Sequence, residues 1–207
     1  QLALGACLCL FVLASAVPVA RAQVPSSISG LELWLDASDA STITTAGGFI
    51  TQWADKTGNG HHATPTFTGA APTLNATALN GNPGVRFNAP TIPATPVDDG
   101  LVIAGAGFTR PYTVFIVDQY FGTTQGRTLQ SGSTNWLVGK WGTRNGHYAT
   151  NNGGWVYLPA AGANSTAIGE ATGNPTSSNY FLNGGAVGTS AAPTGSPATL
   201  GLVGGGA

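Results

Sequence analysis

"YFLNGGAVGT", residues Tyr180 to Thr189, decides the fold. An apolar run at Tyr180–Leu182 meets Asn183-Gly184-Gly185, and a second run follows. Asn-Gly pairs tolerate positive φ, so this stretch reads as strand, tight turn, strand. Further Asn-Gly pairs begin at Asn59, Asn80, Asn145 and Asn152. Each is read as a turn between short strands.

Working outward, Leu31, Leu33 and Leu35 alternate with Glu32, Trp34 and Asp36 in "LELWLDASD". Such alternation predicts a strand with one buried face. "GGFITQW" and "PGVRFNA" follow, with Val85 and Phe87 predicted inward and Arg86 outward. "YTVFIVDQYF" is apolar on both faces, which predicts a central strand covered on both sides. "NWLVGKW", "GHYAT", "GWVYLP", "SNYFLNG" and "PATLGLVGG" extend the series. After residue 23 no stretch sustains a 3.6-residue apolar period, and no internal repeat is evident. The expected class is all-β, a two-sheet antiparallel sandwich in a single domain.

Composition narrows the function. The chain of 207 residues holds 31 Gly and 13 Pro, is 7% charged and carries a formal net charge of −1. Nucleic acid is excluded as a partner, because neutralising phosphates needs clustered Lys and Arg, and only 7 basic residues are scattered along it. Disorder is excluded by 42% hydrophobic residues, among them 5 Trp.

Leu2 to Val19 is almost wholly apolar, and Ala20-Arg21-Ala22 supplies a small-x-small step before Gln23. Residues 1–22 therefore read as a secretory signal peptide that lacks its basic start, and 23–29 as a linker. An uncleaved membrane anchor is the alternative, and Pro18 with the Ala-x-Ala step favours cleavage. "LGAC" at Leu4–Cys7 resembles a lipoprotein box, but its apolar run follows the cysteine. Both cysteines, Cys7 and Cys9, lie in this segment, so the mature chain is expected to have neither disulfide nor thiolate metal site. The expected location is extracellular or on the cell surface, with no membrane span in the mature chain.

"GLELWLDASDASTI", "GGFITQWADKTGNGHHA" and "NGNPGVRFNA" together resemble the laminin-G-like, concanavalin-A-like lectin/glucanase jelly-roll domains of bacterial secreted proteins. "RPYTVFIVDQY", "YFLNGGAV" and "PATLGLVGG" follow in the same order. The resemblance spans 30–207. It implies two packed antiparallel sheets and a binding or adhesive role more often than catalysis. Such domains continue past "LGLVGG" with an acidic strand, so this domain is expected to lack its last strand, which leaves a sheet edge open.

"DKTGNG", Asp55 to Gly60, is nearly the start of a calcium loop. Position twelve, however, is Thr66, which has no carboxylate. Asx-turn chemistry explains each residue, so the loop is read as structural. Asp55 and Asn59 stay as weak metal candidates and calcium as the alternative to no cofactor. A glycosidase needs two facing carboxyl groups. The only glutamates are Glu32 and Glu170, and Glu32 to Asp36 along a strand is roughly 13 Å, too wide for a retaining pair. Asp98-Asp99 before Gly100 reads as a solvated turn. No Gly-x-Ser-x-Gly elbow, His-x-x-x-His pair or phosphate loop occurs. Catalysis is not expected. The sequons at Asn75 and Asn164 arise easily by chance in so polar a chain.

Aromatic residues give the positive signal. Trp136, Trp141, Tyr148, Trp155 and Tyr157 fall close together among Asn and Gly. Aromatic faces stack on sugars while Asn, His and Arg bind hydroxyls. Trp141, Arg144, His147, Asn151, Asn152 and Trp155 form the candidate ligand site, if a hairpin at "NNGG" projects them together. The competing reading places each Trp in the core. The expected function is a secreted, non-catalytic recognition or adhesion module for a glycan or a protein surface. A purely structural domain is the alternative, and a hydrolase of the same fold a remoter one.

Overall fold

A computed structural model describes residues 24–66, 71–87, 99–121, 126–132, 134–142, 144–149, 154–157, 165–191, 196–197 and 199–202. The expected signal peptide lies outside them. The described chain is nearly all β. Its strands are β1 (Ile43–Ala46), β2 (Phe49–Trp53), β3 (Ala63–Pro65), β4 (Thr73–Leu79), β5 (Asn82–Arg86), β6 (Leu101–Ile103), β7 (Tyr112–Asp118) and β8 (Leu129–Ser131). The later strands are β9 (Trp136–Trp141), β10 (Arg144–Ala149), β11 (Trp155–Tyr157), β12 (Ala167–Gly173), β13 (Ser178–Leu182), β14 (Gly185–Ser190) and β15 (Leu200–Leu202). Two 3₁₀ turns, Pro25–Ser27 and Ala40–Thr42, are the only helical pieces among the described residues. Among these residues no helix is long and apolar enough to cross a membrane.

The strands build a nine-stranded sheet in the order β1-β2-β3-β6-β15-β8-β9-β10-β11, a four-stranded sheet β14-β13-β12-β7 and a β4-β5 hairpin. All pairings are antiparallel. The two larger sheets enclose a common core of Trp136, Val138, Tyr112, Ala171, Tyr180, Leu101, Ile103 and Leu200. Across it the indole N–H of Trp136 donates to the Tyr112 hydroxyl at 2.9 Å, and the Tyr180 hydroxyl bonds Asn145 Oδ1. A two-sheet all-β sandwich is thus present.

The core fits because β12 is built of small residues on its inner face. Ala167, Gly169, Ala171 and Gly173 alternate inward. A Cβ on Gly169 would stand 2.5 Å from the Tyr180 hydroxyl, and one on Gly173 2.4 Å from the Tyr112 ring. Two tyrosines occupy the volume those side chains would take, so Tyr180 and Tyr112 pack directly on the β12 backbone. At Asn183-Gly184 φ is 50° and 81°, the paired left-handed geometry of a two-residue hairpin turn. Asn80-Gly81 repeats it between β4 and β5. Val85 and Phe87 pack against the core while Arg86 is exposed, as the alternation predicts.

Three expectations are corrected. Residues 31–36 form no ladder strand. Their backbone partners are a carboxylate, an amide side chain and the backbone of Lys56 (below), although Leu33 and Leu35 still pack on the core. Strand β7 is not central. It ends the four-stranded sheet, and Phe115 and Val117 are 65% and 51% exposed. Its outer apolar residues are therefore uncovered, and double-sided apolarity does not report double-sided burial here. Asn145-Gly146 is no turn, but lies within β10.

Candidate functional site

The aromatic platform is made by β9, β10 and β11 at one end of the large sheet. Trp141 closes β9, Arg144 opens β10 directly opposite it, and Tyr148 pairs with Trp155 of β11. The Trp141 and Trp155 rings stack with centroids 5.5 Å apart and planes at 29°. Tyr148 meets Trp155 edge-on at 5.1 Å and 72°. Such paired rings hold one another in place beyond what burial alone provides. Trp141 remains 38% exposed, and Trp155, Tyr148 and Arg144 are half-buried.

Gly146 opens the floor of this platform. A Cβ there would lie 2.2 Å from the Tyr157 carbonyl oxygen and 3.3 Å from the Trp155 ring. The bare backbone lets Trp155 lie across β10. The result is a surface of two stacked indoles with a phenol at one side and Arg144 paired opposite Trp141. Arg127 adds a second cation that the sequence reading passed over. It donates to Asn135 Oδ1 at 2.9 Å, and burial holds its pKa below the usual range for a guanidinium, with Tyr148 opposing that shift.

Four of the six predicted ligand residues can be placed. Trp141, Arg144 and Trp155 come together. His147 does not join them: it is fully buried, packed edge-on against Trp136 at 5.9 Å. Successive strand residues face opposite sides, so a histidine three positions after Arg144 points into the core. Burial pushes its pKa down to about 4, with a smaller contribution from Arg110 and an opposing one from the Asn179 backbone. Asn151 and Asn152 lie outside the described residues. Trp136 and Tyr157, also in the aromatic run, belong to the interior, where Tyr157 stacks on Tyr180 at 5.8 Å.

The Asp55 loop is a structural hub. Asp55 is 7% exposed. Its Oδ1 accepts from the backbone N–H of Trp34 and of Thr57, both at 3.0 Å. Its Oδ2 accepts from the Thr57 hydroxyl at 2.6 Å and the His61 N–H at 3.3 Å. Desolvation raises the pKa, but these bonds outweigh it and leave the carboxyl below its usual range. The Asn59 amide donates to the carbonyls of Leu31 and Glu32 at 3.2 and 3.0 Å. Lys56 N–H donates to the Trp34 carbonyl, and its ammonium pairs with Asp36 at 3.1 Å and Asp39 at 2.8 Å. The loop thus pins the 31–36 segment to the β2–β3 connection. Among the described residues no three His, Cys, Asp or Glu side chains gather as a metal site would require.

A groove of about 1690 Å³ lies elsewhere, between the 31–36 segment, the β4–β5 hairpin and β7. Its lining mixes apolar side chains such as Leu33, Val85 and Phe108 with charged ones such as Arg86, Arg110 and Asp118. No family model, curated protein or solved structure matches this chain.

Proposed function

We propose that the protein is a secreted, non-catalytic recognition module of jelly-roll type that binds carbohydrate on the β9–β10–β11 platform. The observation that carries this reading is the stacked Trp141–Trp155 pair, partly open to solvent beside Arg144. Indole faces left at a surface suit the apolar face of a pyranose, and a guanidinium suits its hydroxyls. A surface of this kind suits a chain of sugar units rather than an enclosed ligand. The resemblance to laminin-G-like domains supports the same role.

A glycan array with the full chain, run with calcium and with chelator, is the test. Binding should weaken roughly 30-fold, about 2 kcal/mol, in Trp155→Ala, as for other buried aromatic anchors. Trp141→Ala should act in the same direction. Absence of binding to every glycan in both conditions refutes the proposal. A second reading, contact with a protein surface, is favoured by a different observation. Phe115, Val117 and Ile168 are exposed on the outer face of β7 and β12, with Ile168 opposite Val117. Loss of partner capture in Phe115→Ser with glycan binding intact separates the two.

A further inference from the structure

We propose that the side chains of Lys140 and Asp118 condense in the folded chain to an intramolecular amide that joins the two sheets. Lys140 is on β9 of the nine-stranded sheet and Asp118 ends β7 of the four-stranded one. Lys140 is fully buried and Asp118 is 7% exposed. Lys140 Nζ is 3.8 Å from Asp118 Oδ1, too far for a hydrogen bond. Neither atom has a hydrogen-bond partner, and Lys140 Nζ lies 6.0 Å from the centroid of the Tyr120 ring. As an ion pair this is poorly compensated, because buried charges need close contact and hydrogen bonds to offset desolvation.

As a reacting pair the arrangement is coherent. Burial raises the Asp118 pKa against the opposing pull of Lys140, and burial lowers that of Lys140. Both shifts favour a neutral acid and a neutral amine, the forms that condense. Asp118 Oδ2 accepts from the Thr128 hydroxyl at 2.7 Å and from the Lys140 backbone N–H at 3.1 Å. The Lys140 N–H is shared with Thr128 Oγ1 at 2.8 Å, so the Thr128 hydroxyl is the principal donor on Oδ2, placed to stabilise a developing oxyanion there. Oδ1, left without a donor, faces the amine and is the oxygen free to leave. Gly139 makes room for this. A Cβ there would stand 2.3 Å from Thr128 Oγ1 and 2.5 Å from Asp118 Oδ2, and its φ is +96°.

The step balances without an oxidant. Nζ attacks Cγ of the protonated carboxyl group, and the C–N bond forms while negative charge gathers on Oδ2. The tetrahedral centre then collapses and the C–Oδ1 bond breaks. Oδ1 leaves as water, carrying the carboxyl proton and one proton from Nζ. Holding both groups side by side between the sheets supplies the effective concentration such a step needs. In a chain whose described residues include no cysteine, the amide is a covalent tie between sheets that no disulfide provides.

Intact-mass measurement of the purified, denatured full chain tests this. The wild type should be lighter than its sequence mass by one water, and digestion should yield one linked peptide pair containing Asp118 and Lys140. Asp118→Asn should lose one ammonia instead, and Lys140→Arg should show its full mass. Full wild-type mass with two separate peptides overturns the proposal. Loss of water without the linked pair, as from cyclisation at an aspartate, overturns it equally.

Discussion

Acidification should destabilise this protein through His147, and the size can be worked from its surroundings. The imidazole is fully buried, and its pKa falls from 6.5 to about 4. A depressed folded pKa means that the native state binds the proton less readily than the unfolded chain. The contribution is therefore complete above the unfolded value of 6.5 and is lost as pH falls from there through about 4. The full shift corresponds to about 3 kcal/mol, of which roughly 2 kcal/mol is lost by about pH 5. The assay is urea unfolding at a series of pH values, with His147→Leu as the comparison. Subtracting the two curves cancels every other titrating group, including the carboxylates of Asp36, Asp39 and Asp55. Their lowered pKa values place their own losses at more acidic pH. The wild type should lose stability steeply between neutrality and about pH 5 while the variant stays nearly flat. Parallel curves over that interval would refute the placement of His147 in the core.

Asp55→Ala removes an acceptor of four hydrogen bonds and should cost about 3 kcal/mol in urea unfolding. Millimolar calcium should leave the wild-type unfolding midpoint unchanged, because those donors already occupy the carboxylate. A midpoint that rises with calcium would restore the metal reading of the loop. Gly146→Ala places a Cβ 2.2 Å from the backbone carbonyl oxygen of Tyr157 on the neighbouring strand. It should cost several kcal/mol, on the scale of severe overpacking, and expression as aggregate or a collapsed thermal midpoint would show it.

Much of the fold was legible because its strands carry the period-two signal. Strands β2, β5, β7, β9 and β13 all stand out as apolar or alternating runs. Strand β12 was not legible. Its inner residues are Ala and Gly, chosen for the tyrosines they face, and no hydropathy pattern reports a partner's size. The segment 31–36 carries the alternation of a strand yet pairs with loop side chains, a long-range fact absent from local pattern. Asn145-Gly146 looks like a turn, but Gly146 is required by the Tyr157 carbonyl and not by positive φ. Of the candidate site residues, four fall among the described ones. Trp141, Arg144 and Trp155 meet as their clustering suggested. His147 could have been excluded beforehand, since an odd spacing from Arg144 puts it on the opposite face of any strand. The Asp118–Lys140 pair was out of reach, because two residues 22 positions apart meet only when the sheets stack.

Asp55 and Asn59 grip the neighbouring segment through its peptide atoms, the N–H of Trp34 and the carbonyls of Leu31 and Glu32, whereas Lys56 adds side-chain contacts to Asp36 and to the Trp34 ring. Peptide atoms are common to every amino acid. Under mutational drift the two halves of this joint are thus unequally constrained. Apart from Trp34 and Asp36, whose side chains meet Lys56, the gripped segment can exchange residues as long as its apolar face still seats, whereas the gripping positions 55 and 59 tolerate almost nothing else. Heritable variation should accumulate on one side of the contact and be purged from the other.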